Sequence, residues 1–206
     1  EAQLERLGLG DKKSVYQKVT NLRGANKLYD AIHQHKNADV LTVVYNFVDA
    51  LSHAKTDTEV VRELASDDGA YRRLVKTWLE GSPLLKMLQW ASQQGFTVVL
   101  TTDHGTVNVH RPSKVVGTKH LTTNLRYKTG NGMSYQSKHS FVVKDPSAIG
   151  LPKQHIADEY IFALSDLFYV YPNRYNHFVQ YYRNTYQHGG VSLEELIIPY
   201  AVLASK

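Results

Sequence analysis

Val98-Val99-Leu100-Thr101-Thr102-Asp103-His104-Gly105 is the stretch whose reading decides the fold. After Gly95-Phe96 its apolar, β-branched opening predicts a buried strand. The run stops at an adjacent Asp and His. In an α/β sheet, ligands sit beyond the carboxyl ends of the strands. Asp103 and His104 therefore offer a carboxylate oxygen and an imidazole nitrogen at a privileged place. Gly105 lets the backbone turn away at once. Both donors suit a zinc- or manganese-type ion. An isolated Asp-His-Gly reads equally as a polar loop end, so the weight rests on what surrounds it.

A second apolar run, Val40-Leu41-Thr42-Val43-Val44-Tyr45, predicts a buried parallel strand. It leads into Asn46-Phe47-Val48-Asp49-Ala50-Leu51-Ser52-His53. If a helical turn follows the strand, Asp49 and His53 share a face and can hold one ion. The plain alternative is an acidic first turn with an exposed His. Residues 1–38 read as a helical lead-in, with Val15, Val19, Leu22, Leu28 and Ile32 near helical spacing. His33 and His35 face apart there and are poor co-ligands. Thr56 to Gln94 reads as helices. Ser82-Pro83 opens one of them as N-cap and first helical residue, and Gly95 follows its end.

Thr106 to Lys138 is polar and rich in turn residues, with Val107 to His110 as a hairpin arm. Within it Asn124, Arg126 and Lys128 combine an amide and two cations able to grip a phosphate. An exposed loop would look the same. Ser140 to Lys144 predicts a strand, Asp158 to Tyr171 one or two more, and Arg174 to Thr185 a helix. His188 precedes Gly189-Gly190, a turn that can present its ring to a pocket. Ser192 and Glu195 form a capping box, and Leu196 to Val202 predicts a closing strand that Pro199 places at an edge or start.

The 206 residues suffice for one sizeable core. At 42% hydrophobic and 21% charged, the chain is globular and not disordered. No apolar run reaches membrane-spanning length. Cysteine is absent, which excludes disulfides, thiolate metal sites and cysteine nucleophiles. It also points to a reducing, cytoplasmic setting. The net charge of +5 favours anionic partners. No dense Lys/Arg stripe supports nucleic-acid binding as the main role. Some of the 14 tyrosines could stack on bases, although packing explains most.

Asp49 with His53, Asp103 with His104, and His188 before two glycines stand in an order that resembles the alkaline phosphatase superfamily. The closing His188-Gly189-Gly190, Ser192, Glu195, Pro199 pattern carries the likeness best. The stretch from Thr123 to Lys128 resembles PglZ domains, which occur as output domains of PorX-type response regulators of type IX secretion. The resemblance covers about residues 39–202. It implies a three-layer α/β sandwich on a mostly parallel sheet, with the Val40 and Val98 strands adjacent or nearly so. It implies two zinc ions, with manganese as the alternative. Asp49, His53 and His188 would hold one ion, Asp103 and His104 the other. The implied activity is hydrolysis of a nucleotide or oligonucleotide phosphoester. The implied partners are that substrate, a histidine kinase and secretion-machinery proteins, with a homodimer left open. A non-catalytic, zinc-stabilised signalling module is the competing reading.

The family's Ser or Thr nucleophile and a further metal-binding Asp precede the Asp-x-x-x-His motif. Asp11, Ser14, Thr20 and Asp30 do not match them, since they fall in helical or turn sequence. The expectation is a C-terminal portion of a larger domain, with the nucleophile upstream of Glu1. Such a portion would be silent toward phosphodiesters yet able to bind one ion.

Overall fold

The computed structural model describes residues 2–117, 122–153 and 155–204. Glu1 and residues 118–121, which the readings above included, lie outside them. In chain order the elements of the first half are α1 (Ala2–Arg6), β1 (Ser14–Val19), α2 (Leu22–Ala31), β2 (Val40–Tyr45), α3 (Phe47–Asp57), α4 (Glu59–Leu64), α5 (Asp68–Gly81), α6 (Pro83–Gln93) and β3 (Val98–Thr101). The second half has β4 (Val107–Val109), β5 (Arg111–Val116), β6 (Tyr127–Gly130), β7 (Ser134–Tyr135), β8 (Ser140–Val143), β9 (Glu159–Ala163), β10 (Leu167–Val170), α7 (Tyr175–Tyr182), β11 (Thr185–Gln187), α8 (Leu193–Leu196) and β12 (Tyr200–Leu203). They form two compact units, Glu1–Leu100 with Ala201–Lys206, and Thr101–Tyr200.

In the first unit β1 and β2 pair in parallel, from Ser14 opposite Val40 to Val19 opposite Tyr45. This corrects the helical lead-in. Val15, Val19 and Leu22 keep helical spacing only because they straddle a strand–helix junction. Val19 is buried at the end of β1, whereas Leu22 is exposed at the start of α2. The ladder is anchored where the Lys13 N–H donates to Asp39 Oδ2 at 2.8 Å. Leu28 and Ile32 do form the buried stripe, joined by Val19, Ala25 and Met87 and flanked by Leu84 and Trp90. Three helices start on side-chain caps. Asn21 accepts from the Gly24 N–H, Asp67 from Ala70, and Ser82 from Leu85 with Pro83 in the first turn. Each such cap contributes about 1 kcal/mol. Gly95, at φ +78°, takes the left-handed turn into β3.

The single, mostly parallel sheet is not what the described residues form. β2 pairs with β1, and β3 pairs with β12 in a separate two-stranded sheet. An unbroken apolar run says that a strand wants cover on both faces, but it does not name its neighbour. Nor is the Val98 run buried, since Val99 is 49% and Leu100 46% exposed.

The second unit is mixed. β10 and β5 pair in parallel and β5 and β7 antiparallel, while β6, β9 and β8 form an antiparallel sheet in that order. Its core gathers Val115, Ile161, Ala163, Leu167 and Tyr169 in one cluster, and Val107, Val109, Phe168 and Val170 in another. All four residues of β10 are buried. The second cluster lies against Phe178, Val179 and Tyr182 of α7. The stretch from Thr106 to Lys138, read as polar and rich in turn residues with one hairpin arm, carries four strands. Val107 to Val109 pairs with the distant β11 rather than within a local hairpin, and such long-range pairing leaves little local signal. The predicted strands at 140–144 and 158–171 and the helix at 174–185 are present as β8, β9, β10 and α7. The closing strand is shorter than expected, because Leu196 ends α8 and the ladder begins at Tyr200. Among the described residues no helix is long and apolar enough to cross a membrane.

Candidate metal-ligand pairs and the clamp behind them

The strand β2 does give way to a helix, and α3 carries both Asp49 and His53 on one face. His53 Nε2 lies 3.5 Å from Asp49 Oδ1. Two donors about 2 Å from a tetrahedral ion sit roughly 3.3 Å apart, so this spacing suits a shared ion. In the other unit the chain leaves β3 through Thr102. The Thr102 hydroxyl donates to the carbonyl of His104 at 3.1 Å. Asp103 is open to solvent, with its Oδ1 3.8 Å from His104 Nε2. His104 Nδ1 lies 3.0 Å from its neighbour's carbonyl, Gly105 O. A carbonyl only accepts, so Nδ1 carries the proton and Nε2 keeps its lone pair. Metal-binding imidazoles are held in this way by their second nitrogen. The ring of His188 stacks on that of His104, with centroids 3.9 Å apart.

A buried ion pair holds these two histidine segments together within their unit. Arg126 is fully buried. Its Nε donates to Glu195 Oε1 at 2.8 Å and its Nη2 to Oε2 at 2.6 Å, a two-pronged match of planar groups. Nη1 donates to the Leu167 carbonyl, and the second hydrogen of Nη2 is shared between the carbonyls of Ala163 and Ser165. Glu195 also accepts from the backbone N–H of Ser192 at 3.0 Å, as the capping box requires, and from that of Gly190 at 2.9 Å. Burial pushes the Glu195 carboxyl up. The guanidinium and the two backbone donors outweigh that and hold it below the usual carboxylate range. The carbonyl of Glu195 in turn accepts from the Gly105 N–H at 2.9 Å.

Glycine is needed at both contact points. A Cβ on Gly190 would come within 2.6 Å of Arg126 Nη2 and 2.7 Å of Ala163 O, and one on Gly105 would run into Glu194 O. The clamp thus ties the loop after His188 and the turn after His104 to one short helix, α8.

Arg126, Lys128 and Asn124, expected to grip a phosphate, make internal contacts in this structure. Arg126 and Lys128 face inward. Lys128 is 1% exposed, its Nζ donates to Thr122 O at 2.7 Å, and it lies over the Tyr171 ring. Asn124 Oδ1 accepts from the N–H groups of Arg126 and Tyr127, and its Nδ2 donates to His188 O at 3.5 Å. Asn124 and, through Glu195, Arg126 hold the loop that carries His188, while Lys128 ties Thr122 to the Tyr171 ring. The pairing of Arg126 with Glu195 across sixty-nine positions was not visible in the sequence. Only the capping box marked Glu195. Thr20, taken for a helical residue, lies exposed in the turn between β1 and α2.

The donor set is imidazole nitrogen and carboxylate oxygen without thiolate, which suits zinc or manganese. No curated protein matches the sequence. The family model of the BREX system PglZ alkaline phosphatase-like domain matches residues 8–203. Covering nearly the whole chain, that match places it in a known family: the chain belongs to the PglZ alkaline phosphatase-like domains.

Proposed function

We propose that the chain forms part of a metal-dependent phosphodiesterase acting on nucleotide or oligonucleotide phosphoesters. The observation that carries this is the His104–His188 stack, held by the Arg126–Glu195 clamp in a chain of this family. Motif order assigns Asp49, His53 and His188 to one zinc-type ion, and Asp103 and His104 to a second. Divalent ions held there supply Lewis-acid stabilisation of charge on the phosphoryl oxygens. The chain's own part is orientation. Gly105 O fixes the His104 proton on Nδ1, which leaves Nε2, 3.8 Å from Asp103 Oδ1, as the metal donor of the ring. The clamp fixes the turn after His188. Asp103, largely solvated, stays available as an anionic ligand. The net charge of +5 suits an anionic substrate. The likeness of residues 123–128 to receiver-linked PglZ domains supports a further proposal, an output role in a response regulator that controls secretion.

The test uses the full-length protein with bis(p-nitrophenyl) phosphate and a nitrophenyl ester of thymidine monophosphate. We expect turnover that stops with a chelator, returns with zinc, and is lost in His188→Ala with the fold intact. Turnover indifferent to chelation and to His188→Ala would overturn the proposal.

A further inference from the structure

One face of the β6–β9–β8 sheet is built from aromatic rings. Tyr127, Phe162 and Phe141 stand directly opposite one another on the three strands. Tyr160, two residues before Phe162, shares their face, because side chains alternate along a strand. The ring of Phe162 has its centroid 6.1 Å from that of Tyr127, 6.5 Å from Phe141 and 6.0 Å from Tyr160, the last pair near-parallel. The Tyr160 hydroxyl donates to Pro152 O at 2.8 Å, which fixes that ring. The opposite face sends Ile161 and Ala163 into the core. The ring face stays open, with Phe141 52% exposed and the other three partly so. Cross-strand aromatic pairs do stiffen a sheet, but that alone does not call for a ring left in water at the end of the row. The row also runs into the candidate site. A Cβ on Gly189 would meet Tyr127 Cδ1 at 3.1 Å, so the Tyr127 ring lies against the residue that follows His188.

We propose, resting on the phosphodiesterase reading, that this row is a stacking platform for the unpaired bases of a single-stranded oligonucleotide whose phosphodiester lies by His188. The substrate class narrows accordingly from nucleotides in general to single strands of several bases. Three observations favour this occupant. The row is aromatic rather than aliphatic, and bases stack on such rings whatever their sequence; sheet faces that carry two or three rings hold splayed bases in this way. The row is continuous with the segment of a candidate metal ligand, where a phosphodiester would be cut. The surroundings suit a polyanion. Between Asp103 and Asp145 the chain has no Asp or Glu, and the exposed Lys138 and Lys144 stand on either side of β8 in the chain. Glu159 of β9 belongs to the opposite face, where it accepts from the Tyr135 hydroxyl at 3.3 Å. A duplex, whose bases are already stacked on one another, offers the rings nothing.

The test uses the full-length protein with chelator present, so that binding is read without hydrolysis. The probes are fluorescein-labelled octathymidylate and an abasic strand of the same length and charge. We expect saturable binding by anisotropy, with the abasic strand weaker by about tenfold or more. Phe141→Leu keeps the apolar bulk of an exposed residue and loses its ring. It should leave the melting curve unchanged and weaken the thymidylate by about tenfold. Phe141→Trp should keep the affinity, and the emission it adds should be that of a solvated indole, quenched as the strand is added. Equal binding of the abasic strand, or a Phe141→Leu variant that binds like the parent, would overturn the platform even if bis(p-nitrophenyl) phosphate is turned over in a metal-dependent way. Added emission that is already blue-shifted and indifferent to the strand would overturn it too, because a second copy or another part of the chain then covers the face. Ring-dependent binding in a protein that turns over no phosphodiester would support the platform and fail the phosphodiesterase reading instead.

Discussion

Replacing Arg126 by Met separates an internal clamp from a substrate-gripping cation. The side chain makes five hydrogen bonds, two to Glu195 and three to the carbonyls of Ala163, Ser165 and Leu167. Methionine keeps much of the volume and loses all five. Glu195 is then a buried carboxylate without its cation, and breaking a buried pair in this way costs about 3–5 kcal/mol. Each of the three carbonyls adds on the order of 1 kcal/mol, less where water reaches them. A total of about 6–8 kcal/mol is a large part of the 5–15 kcal/mol typical of a folded protein. With a urea m-value of about 2 kcal/mol per molar, the midpoint should fall by about 3–4 M. Urea unfolding followed by far-ultraviolet circular dichroism measures it. The double variant Arg126→Met/Glu195→Met should recover part of the loss, since no charge is stranded. A single-variant midpoint within about 0.3 M of the parent, or a double variant worse than the sum of the singles, would refute the reasoning.

Other outcomes follow from the same contacts. Lys128 is buried and its ammonium is pushed down to about 8. The unfolded chain therefore binds more protons between about pH 8 and its ordinary value near 10.4, so stability rises with pH in that window. Lys128→Met should flatten that rise in urea midpoints taken from pH 7.5 to 9.5. Glu195 behaves oppositely. Its depressed carboxyl gives stability that is present above the ordinary value near 4.3 and lost as pH falls through the folded value. Glu195→Gln should therefore remove part of the acid-induced loss seen in a pH series of melting temperatures. Gly190→Ala should destabilise by about 2 kcal/mol or more, because its methyl must displace the guanidinium or the Ala163 carbonyl. Ser82→Ala, which loses the cap on Leu85 and the hydroxyl's bond to the Leu79 carbonyl, should cost about 1–2 kcal/mol in the same urea assay.

Local chemistry was legible in the sequence and long-range pairing was not. The Ser82-Pro83 start, the capping box at Ser192 and Glu195, and the shared face of Asp49 and His53 all depend on residues within four positions of one another. The structure has all three. β1 was hidden because its two valines fall in register with the helix that follows. β4 found its partner some eighty positions away. Arg126 misled for a related reason. Arg and Lys in a polar loop look solvated unless the acid that pairs with one of them is known, and Glu195 had already been explained as a cap. Motif order marked the histidines, but the clamp that holds the segments of His104 and His188 joins residues far apart in the chain and left no local signal.

Cobalt titration of the purified chain tests the central claim most directly, because the visible absorption of Co²⁺ reports imidazole and carboxylate ligation, and zinc can then be added in competition. We predict a saturable, stoichiometric spectrum that zinc displaces. His188→Ala should weaken it at least tenfold with the circular dichroism unchanged, and His104→Ala and Arg126→Lys should weaken it less. A chain that gives no such spectrum, or whose spectrum survives loss of both histidines, would contradict the account.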